Sequence, residues 1–354
     1  MELKKSGINT LCTHYGELED PIYKGAVSPL YMSTSYAFED VAVKRYPRYF
    51  NTPNQVALAK KIAALEHCEA SLIFGSGMAA VSTAMLAFLS AGDHVVLQKT
   101  LYGGTYNFVV EELARFGISY TFTKGLAPND FEAALQDNTK VIYIETPSNP
   151  LLGITDMKAI AELSQQHQII TMIDNTFASP INQNPADFGI DIMLHSATKY
   201  MGGHSDISAG AVAASKEHIE QIWKTAINFG GNLSDQTVWL LERSLKTMNL
   251  RVKEQTKNAQ TMAEYFEGNP NIDKVYYPGL KSHLQYEIAK KQMKGFGAML
   301  SFELKKGIDA MKFQNSLQLI KPSMSLAGVE STTVSPTQTT HALLNEIERL
   351  ERGI

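Results

Sequence analysis

The sequence predicts an α/β protein: a mostly parallel sheet with helices on both faces, followed by a smaller C-terminal α+β unit. Three observations predict it. Short apolar runs alternate with helix-like segments over about 150 residues, the signature of strand–helix crossovers. Hydrophobic residues make up 44% of the 354 and charged residues 19%, enough for a large packed core. After Gly210 the alternation gives way to long, Lys- and Arg-studded segments with two further strand-like runs.

In chain order, residues 1–50 are irregular, punctuated by Pro21, Pro29 and Pro47, and no apolar period persists there. Their aromatic end, Tyr46, Tyr49 and Phe50, marks an arm that packs on something. From Gln55 a helical stripe begins with Val56, Leu58, Ala59, Ile62, Ala63 and Leu65. Residues 72–74 then lead through a glycine turn into a helix over 78–89. Strands are predicted at 94–98, 118–123, 141–145, 169–174 and 190–194, with helices at 106–116, 131–136 and 157–166 between them. Residues 237–262 read as a long, mostly helical segment, 272–277 and 298–303 as strands, and 343–352 as a charged helix. The division is therefore an arm over 1–50, a large unit over 51–250 and a small unit over 251–354.

Composition excludes several classes. Net charge is −4 with the basic residues dispersed, which argues against nucleic acid as the main partner. Two cysteines, Cys12 and Cys68, cannot form a disulfide framework or a Cys-Cys metal motif. The uncharged run 70–92 is long enough to span a bilayer, but a strand, a glycine turn and a helix explain it better. A cytoplasmic protein without a membrane span is expected.

Functional groups in such sheets gather on loops after the strand ends. Here those loops hold Gly75-Ser76-Gly77-Met78, Tyr102-Gly103-Gly104-Thr105, Glu145-Thr146-Pro147-Ser148-Asn149-Pro150, Asp174-Asn175-Thr176 and Ser196-Ala197-Thr198-Lys199. The combination suits pyridoxal phosphate. Its phosphate takes helix-start N–H groups and hydroxyls, and its aldehyde a lysine. An acid keeps its pyridine nitrogen protonated, and an aromatic stacks on its ring. Lys199 stands 25 residues after Asp174, room for one crossover. Singly, each residue has a plainer reading: a surface lysine, a turn-capping Asp174, a loop Tyr102, and Ser196 and Thr198 as caps. A metal reading of His195 and His204 lacks any Cys or His/Glu helix pair, so no metal is expected. Gly75 to Ala80 also fits a dinucleotide turn, but Asp93 precedes the next strand instead of ending it, so that reading fails.

The run Ser196-Ala197-Thr198-Lys199-Tyr200-Met201-Gly202-Gly203-His204-Ser205-Asp206 resembles the cofactor-lysine motif of the Cys/Met-metabolism pyridoxal-phosphate enzymes. That family comprises cystathionine γ-synthases, γ- and β-lyases, methionine γ-lyases and homoserine-ester sulfhydrylases. The resemblance extends from about Gly25 to the C-terminus. It implies the aspartate-aminotransferase-like fold (fold type I) and pyridoxal 5'-phosphate as cofactor. It also implies that Lys199 holds the aldehyde as a Schiff base and shuttles protons, that Asp174 pairs with the pyridine nitrogen, and that Tyr102 stacks on the ring and serves in acid–base steps. By the same resemblance Gly77, Met78, Ser196 and Thr198 bind the phosphate, and Asn149 and Ser325 face the substrate. Tyr46 and Arg48 resemble the pair that reaches a neighbouring subunit's phosphate, in a dimer of dimers.

Three departures stand out. Pro47 replaces the serine of the usual Tyr-Ser-Arg, Gly104 stands where methionine γ-lyases carry cysteine, and Met324 occupies a position often held by glutamate in cystathionine γ-synthases and γ-lyases. Family members continue into a strand bearing the arginine that holds the substrate α-carboxylate, so a continuation past Ile354 is expected. The expected function is C–S bond cleavage in sulfur amino acids by β- or γ-elimination. A γ-replacement enzyme is the alternative within the family. An inactive cofactor-binding paralogue is the alternative outside it.

Overall fold

The computed structural model describes residues 6–336. Its centre is a seven-stranded sheet of β1 (Ala70–Phe74), β2 (His94–Leu97), β3 (Ser119–Phe122), β4 (Thr139–Glu145), β5 (Ile170–Asp174), β6 (Ile192–His195) and β7 (Gly210–Ala214). Their spatial order is β1-β7-β6-β5-β4-β2-β3. Strand β7 runs antiparallel to both β1 and β6, while the pairs among β2 to β6 are parallel. Six strand C-termini therefore meet at one edge of the sheet, together with the start of β7.

The α-helices in order are α1 (Ile8–His14), α2 (Pro53–Leu65), α3 (Gly77–Phe88), α4 (Gly103–Asn107), α5 (Pro128–Glu132), α6 (Met157–His167), α7 (Ser179–Asn182), α8 (Lys216–Phe229), α9 (Asp235–Leu245), α10 (Met248–Glu267), α11 (Tyr286–Gln292) and α12 (Ala310–Ser316). Successive strand residues point to opposite faces, and both faces are covered. On one face Leu97, Tyr143, Met172 and Leu194 pack under α3 and α8. On the other, Val96, Ile142, Ile144 and Ile173 pack under α6, and Ile73 and Ala211 under α2, α9 and α10. Burial on both sides is why these strands read as unbroken apolar runs. Thr52 and Gln55 form a capping box that starts α2 behind Pro53.

The uncharged run 70–92 is β1, a turn and the 12-residue α3, and among the described residues no helix is long and apolar enough to cross a membrane. Several expectations are corrected. Residues 237–262 are mostly helical as expected, but as two helices: α9 and α10 separate at Lys246–Thr247, where Thr247 Oγ1 donates to the Ser244 carbonyl and competes with the helical ladder. The N-terminal fifty residues do contain a helix, α1, whose buried side chains are only Leu11 and Cys12, too few to show a period. The helix expected at 106–116 begins at Gly103 and continues as a π-helical turn over Phe108–Leu113. The short helix expected at 131–136 starts earlier, at Pro128, with the Asp130 carboxylate accepting the Ala127 N–H. Strand β7 and helix α8 add to the sequence reading; Gly-Ala-Val-Ala-Ala has weak strand propensity and is shaped by its buried place.

Beyond the large sheet, β8 (Ile272–Tyr276) and β9 (Ser301–Leu304) pair antiparallel, and the two-residue β10 (Lys321–Pro322) and β11 (Thr332–Thr333) pair parallel. Residue 250 lies in the first turn of α10. The start of that helix, Met248 and Val252, packs with the large sheet, whereas Ala259 and Ala263 pack with Tyr277 and Leu280. The charged helix expected at 343–352 lies outside the described residues.

Candidate active site

Parallel register puts Glu145 and Asp174 side by side at the ends of β4 and β5. Both are buried. Asp174 Oδ1 accepts the Thr176 N–H at 2.9 Å. Burial pushes its carboxyl above the usual range, opposed by the Thr176 hydrogen bonds and by the charges of His195 and Lys199. Behind it, the buried Glu66 carboxylate accepts from Asn175 Nδ2 at 3.0 Å and pairs with His195 Nε2. Asp174 thus stands on a strand end locked from beneath.

Lys199 follows β6 in a tight turn, its N–H donating to the Ser196 carbonyl at 3.0 Å. Its Nζ donates to Ser325 Oγ at 2.6 Å. Burial depresses the ammonium below the ordinary lysine range, and the Asp174 charge opposes that shift. Arg251 clamps the segment after it, donating to the Tyr200 carbonyl at 3.1 Å and the Ser244 carbonyl at 2.9 Å.

Ser76 caps α3 by accepting the Ala79 N–H at 3.1 Å. The first intrahelical bond runs from Ala80 N–H to the Ser76 carbonyl, so the N–H groups of Gly77 and Met78 belong to the open first turn. Gly77 must be glycine: a Cβ there would stand 2.8 Å from Ser196 Cβ. The close approach brings the start of α3 against the Lys199 turn. Thr198 Oγ1 is already engaged, donating to the Ala209 carbonyl and accepting its N–H.

Tyr102 precedes α4 with its ring over Gly104, where a Cβ would meet the ring at 2.5 Å and Met78 Sδ at 3.2 Å. The glycine noted in the sequence is therefore what lets Tyr102 lie down beside Met78. Glu145 joins this side of the site to the next loop: Oε2 accepts the Tyr102 N–H at 2.8 Å and Oε1 the Asn149 N–H at 2.9 Å. Burial, then the Asp174 charge, push the Glu145 carboxyl up to about 8, and the two N–H groups pull the other way.

Of the residues expected at the site, Gly77, Met78, Ser196 and Tyr102 adjoin one another, Lys199 meets Ser325, and Asp174 stands next to Glu145, which holds Asn149. Tyr46 and Arg48 are not brought to them. Arg48 donates to the Ile227 carbonyl of its own chain and lies over the Tyr46 and Tyr49 rings. Met324 is 70% exposed. Sequence reasoning assigned no role to Glu145, Glu66 or Arg251. The available signal was a carboxylate closing the buried run Val141-Ile142-Tyr143-Ile144-Glu145, since a charge there needs partners.

The family model described as Cys/Met metabolism PLP-dependent enzyme matches residues 9–354. The chain is 40% identical to the L-methionine gamma-lyase of Fusobacterium nucleatum subsp. nucleatum, covering 100% of this chain and 93% of that one. It is 43% identical to the cystathionine beta-lyase of Bacillus subtilis (strain 168), over 93% of this chain and 85% of that one. The solved cystathionine gamma-lyase from Lactobacillus plantarum complexed with L-serine superposes with a TM-score of 0.95 at 39% identity, over 99% of this chain and 92% of that one.

Proposed function

The chain belongs to the Cys/Met metabolism PLP-dependent enzyme family, and from that premise we propose that it cleaves C–S bonds of sulfur amino acids by β- or γ-elimination. The observation that carries the reading is the meeting of Lys199, depressed by burial and near the Asp174 charge, with the Ser325 hydroxyl. The residues fit pyridoxal 5'-phosphate. An open helix start, kept close to Ser196 by a glycine, suits a phosphate, and a buried carboxylate beside a partly buried lysine suits a pyridine nitrogen and an aldehyde. When bound, that group supplies an electron sink for the carbanion left at the substrate α-carbon.

In this reading Lys199 attaches the cofactor and, once released by the incoming amine, carries the α-proton. Asp174 holds the proton on the pyridine nitrogen. Tyr102 covers the ring face, Gly77, Met78 and Ser196 bind the phosphate, Thr198 joins them by turning its hydroxyl proton from the Ala209 carbonyl to the phosphate, and Asn149 and Ser325 orient the substrate. Met324, apolar and beside Ser325, gives a distal ammonium group no ionic partner, which favours elimination over γ-replacement.

The arm, residues 1–50, is proposed to dock on a second copy, with Tyr46 and Arg48 completing that copy's phosphate site in a dimer of dimers. Its exposed Ile22, Tyr23, Met32 and Phe38 support this. The division into units at 51–250 and 251–354, and a cytoplasmic location, belong to the same proposal. The test is product analysis with methionine, cystathionine, and an O-acylhomoserine plus a thiol. Pyruvate from cystathionine means β-elimination and 2-oxobutyrate γ-elimination. A new thioether would replace the lyase reading with γ-replacement, and no product from protein loaded at Lys199 would make the chain a binding paralogue.

A further inference from the structure

We propose that Glu145 is a positioning residue that sets Tyr102 and Asn149 at the site through one carboxylate. Its two oxygens each take one backbone N–H, from loops that follow different strands, at 2.8 and 2.9 Å. Burial and Asp174 push its carboxyl up to about 8, so above that pH it is ionised, acceptor-only on both oxygens, and holds two donors at once; an amide offers one acceptor and turns an NH₂ toward the second donor. Among the described residues no lysine or arginine forms an ion pair with Glu145. A buried carboxylate beside Asp174, without a cation, is expensive. In its ionised form it makes two charge-assisted bonds to N–H groups, and those bonds pull its carboxyl back down against burial.

The anchor itself is stiff. Glu145 ends β4, and its backbone is bonded on both sides by the Gln98 side chain: Nε2 donates to the Glu145 carbonyl at 2.7 Å, and Oε1 accepts the Glu145 N–H at 3.3 Å. Thr155 Oγ1 donates to the same Gln98 Oε1 at 2.7 Å. The Tyr102 N–H stands at the start of α4, so the bond fixes where that helix begins and where the ring lies over Gly104. Tyr102 and Asn149 therefore share one reference point, which also sits next to Asp174.

The inference rests on the proposed roles of Tyr102 and Asn149, and the test separates the two. Glu145→Gln is compared with wild type at about pH 9, above the shifted Glu145 carboxyl, both loaded with pyridoxal 5'-phosphate. The expected variant is still yellow and still trapped on Lys199 by borohydride, but its visible circular dichroism changes. Its kcat/KM falls about 10- to 100-fold, the scale of a small misplacement at a reacting centre, with KM rising through Asn149 and kcat falling through Tyr102. Added to Tyr102→Ala, the substitution should cost clearly less than it does alone, because the two act through one connection. If the wild type itself carries no adduct on Lys199, the functional reading falls and this inference with it. If the wild type is loaded and Glu145→Gln matches it in kcat, KM and dichroism, or the losses simply multiply in the double variant, the positioning role alone is wrong. Should Glu145→Gln not fold, Glu145→Asp, a shortened carboxylate, must show the same spectral change and a partial loss; unchanged behaviour overturns the proposal.

Discussion

Lys199 Nζ donates a 2.6 Å hydrogen bond to Ser325 Oγ, joining the turn after β6 to a segment 126 residues later in the chain. Ser325 adopts φ +78°, and Ala327 two residues on adopts φ +67°, a region non-glycine residues seldom enter. Backbone held this way is strained, and the segment stays there because its surroundings over-determine it. Gln255 Nε2 is part of those surroundings, donating to the Gly328 carbonyl at 2.7 Å.

Ser325→Ala removes the acceptor facing Lys199 and leaves the backbone strain unchanged. The expected result is a rise in KM of several-fold or more with cofactor attachment intact, measured by steady-state kinetics and borohydride trapping. An unchanged KM would remove Ser325 from the substrate side.

The depressed Lys199 amine gives a pH prediction. An aldehyde is captured by the neutral amine, so loading of cofactor-free protein speeds up as pH rises and levels off below the ordinary lysine pKa of about 10.4. The Asp174 charge raises the Lys199 pKa, so Asp174→Asn should move the rise to lower pH. Stopped-flow absorbance across the pH range reads both curves, and superimposable curves would mean that the two groups do not interact.

Asp174→Ala should still permit attachment at Lys199 while turnover falls by roughly 10²–10³, the cost of removing a preorganised electrostatic stabiliser. Near-normal turnover would leave Asp174 as no more than the acceptor of the Thr176 N–H.

The arm is tested by complementation. Lys199→Ala and Arg48→Ala chains, each inactive alone, are mixed under conditions of confirmed subunit exchange. Some activity should return, because one site in each hybrid receives both intact residues. No return would mean that Arg48 serves its own chain, where it already bonds the Ile227 carbonyl.

Six of the seven sheet strands and the edge that carries chemistry were legible in the sequence alone. Runs such as Val141-Ile142-Tyr143-Ile144 and Met172-Ile173 are apolar because both faces are covered, and the polar residues that end them sit where parallel strands terminate. Local patterning records burial, so burial was legible. It does not record partners. Ala211 and Ala213 became part of a strand only because β1 and β6 flank them. Glu66 meets His195 across 129 residues, and Glu145 ties together two loops that no spacing connects. Those contacts exist only once the crossovers have brought the strand ends together, since a hydrogen bond depends on positions in space that a one-dimensional pattern does not specify.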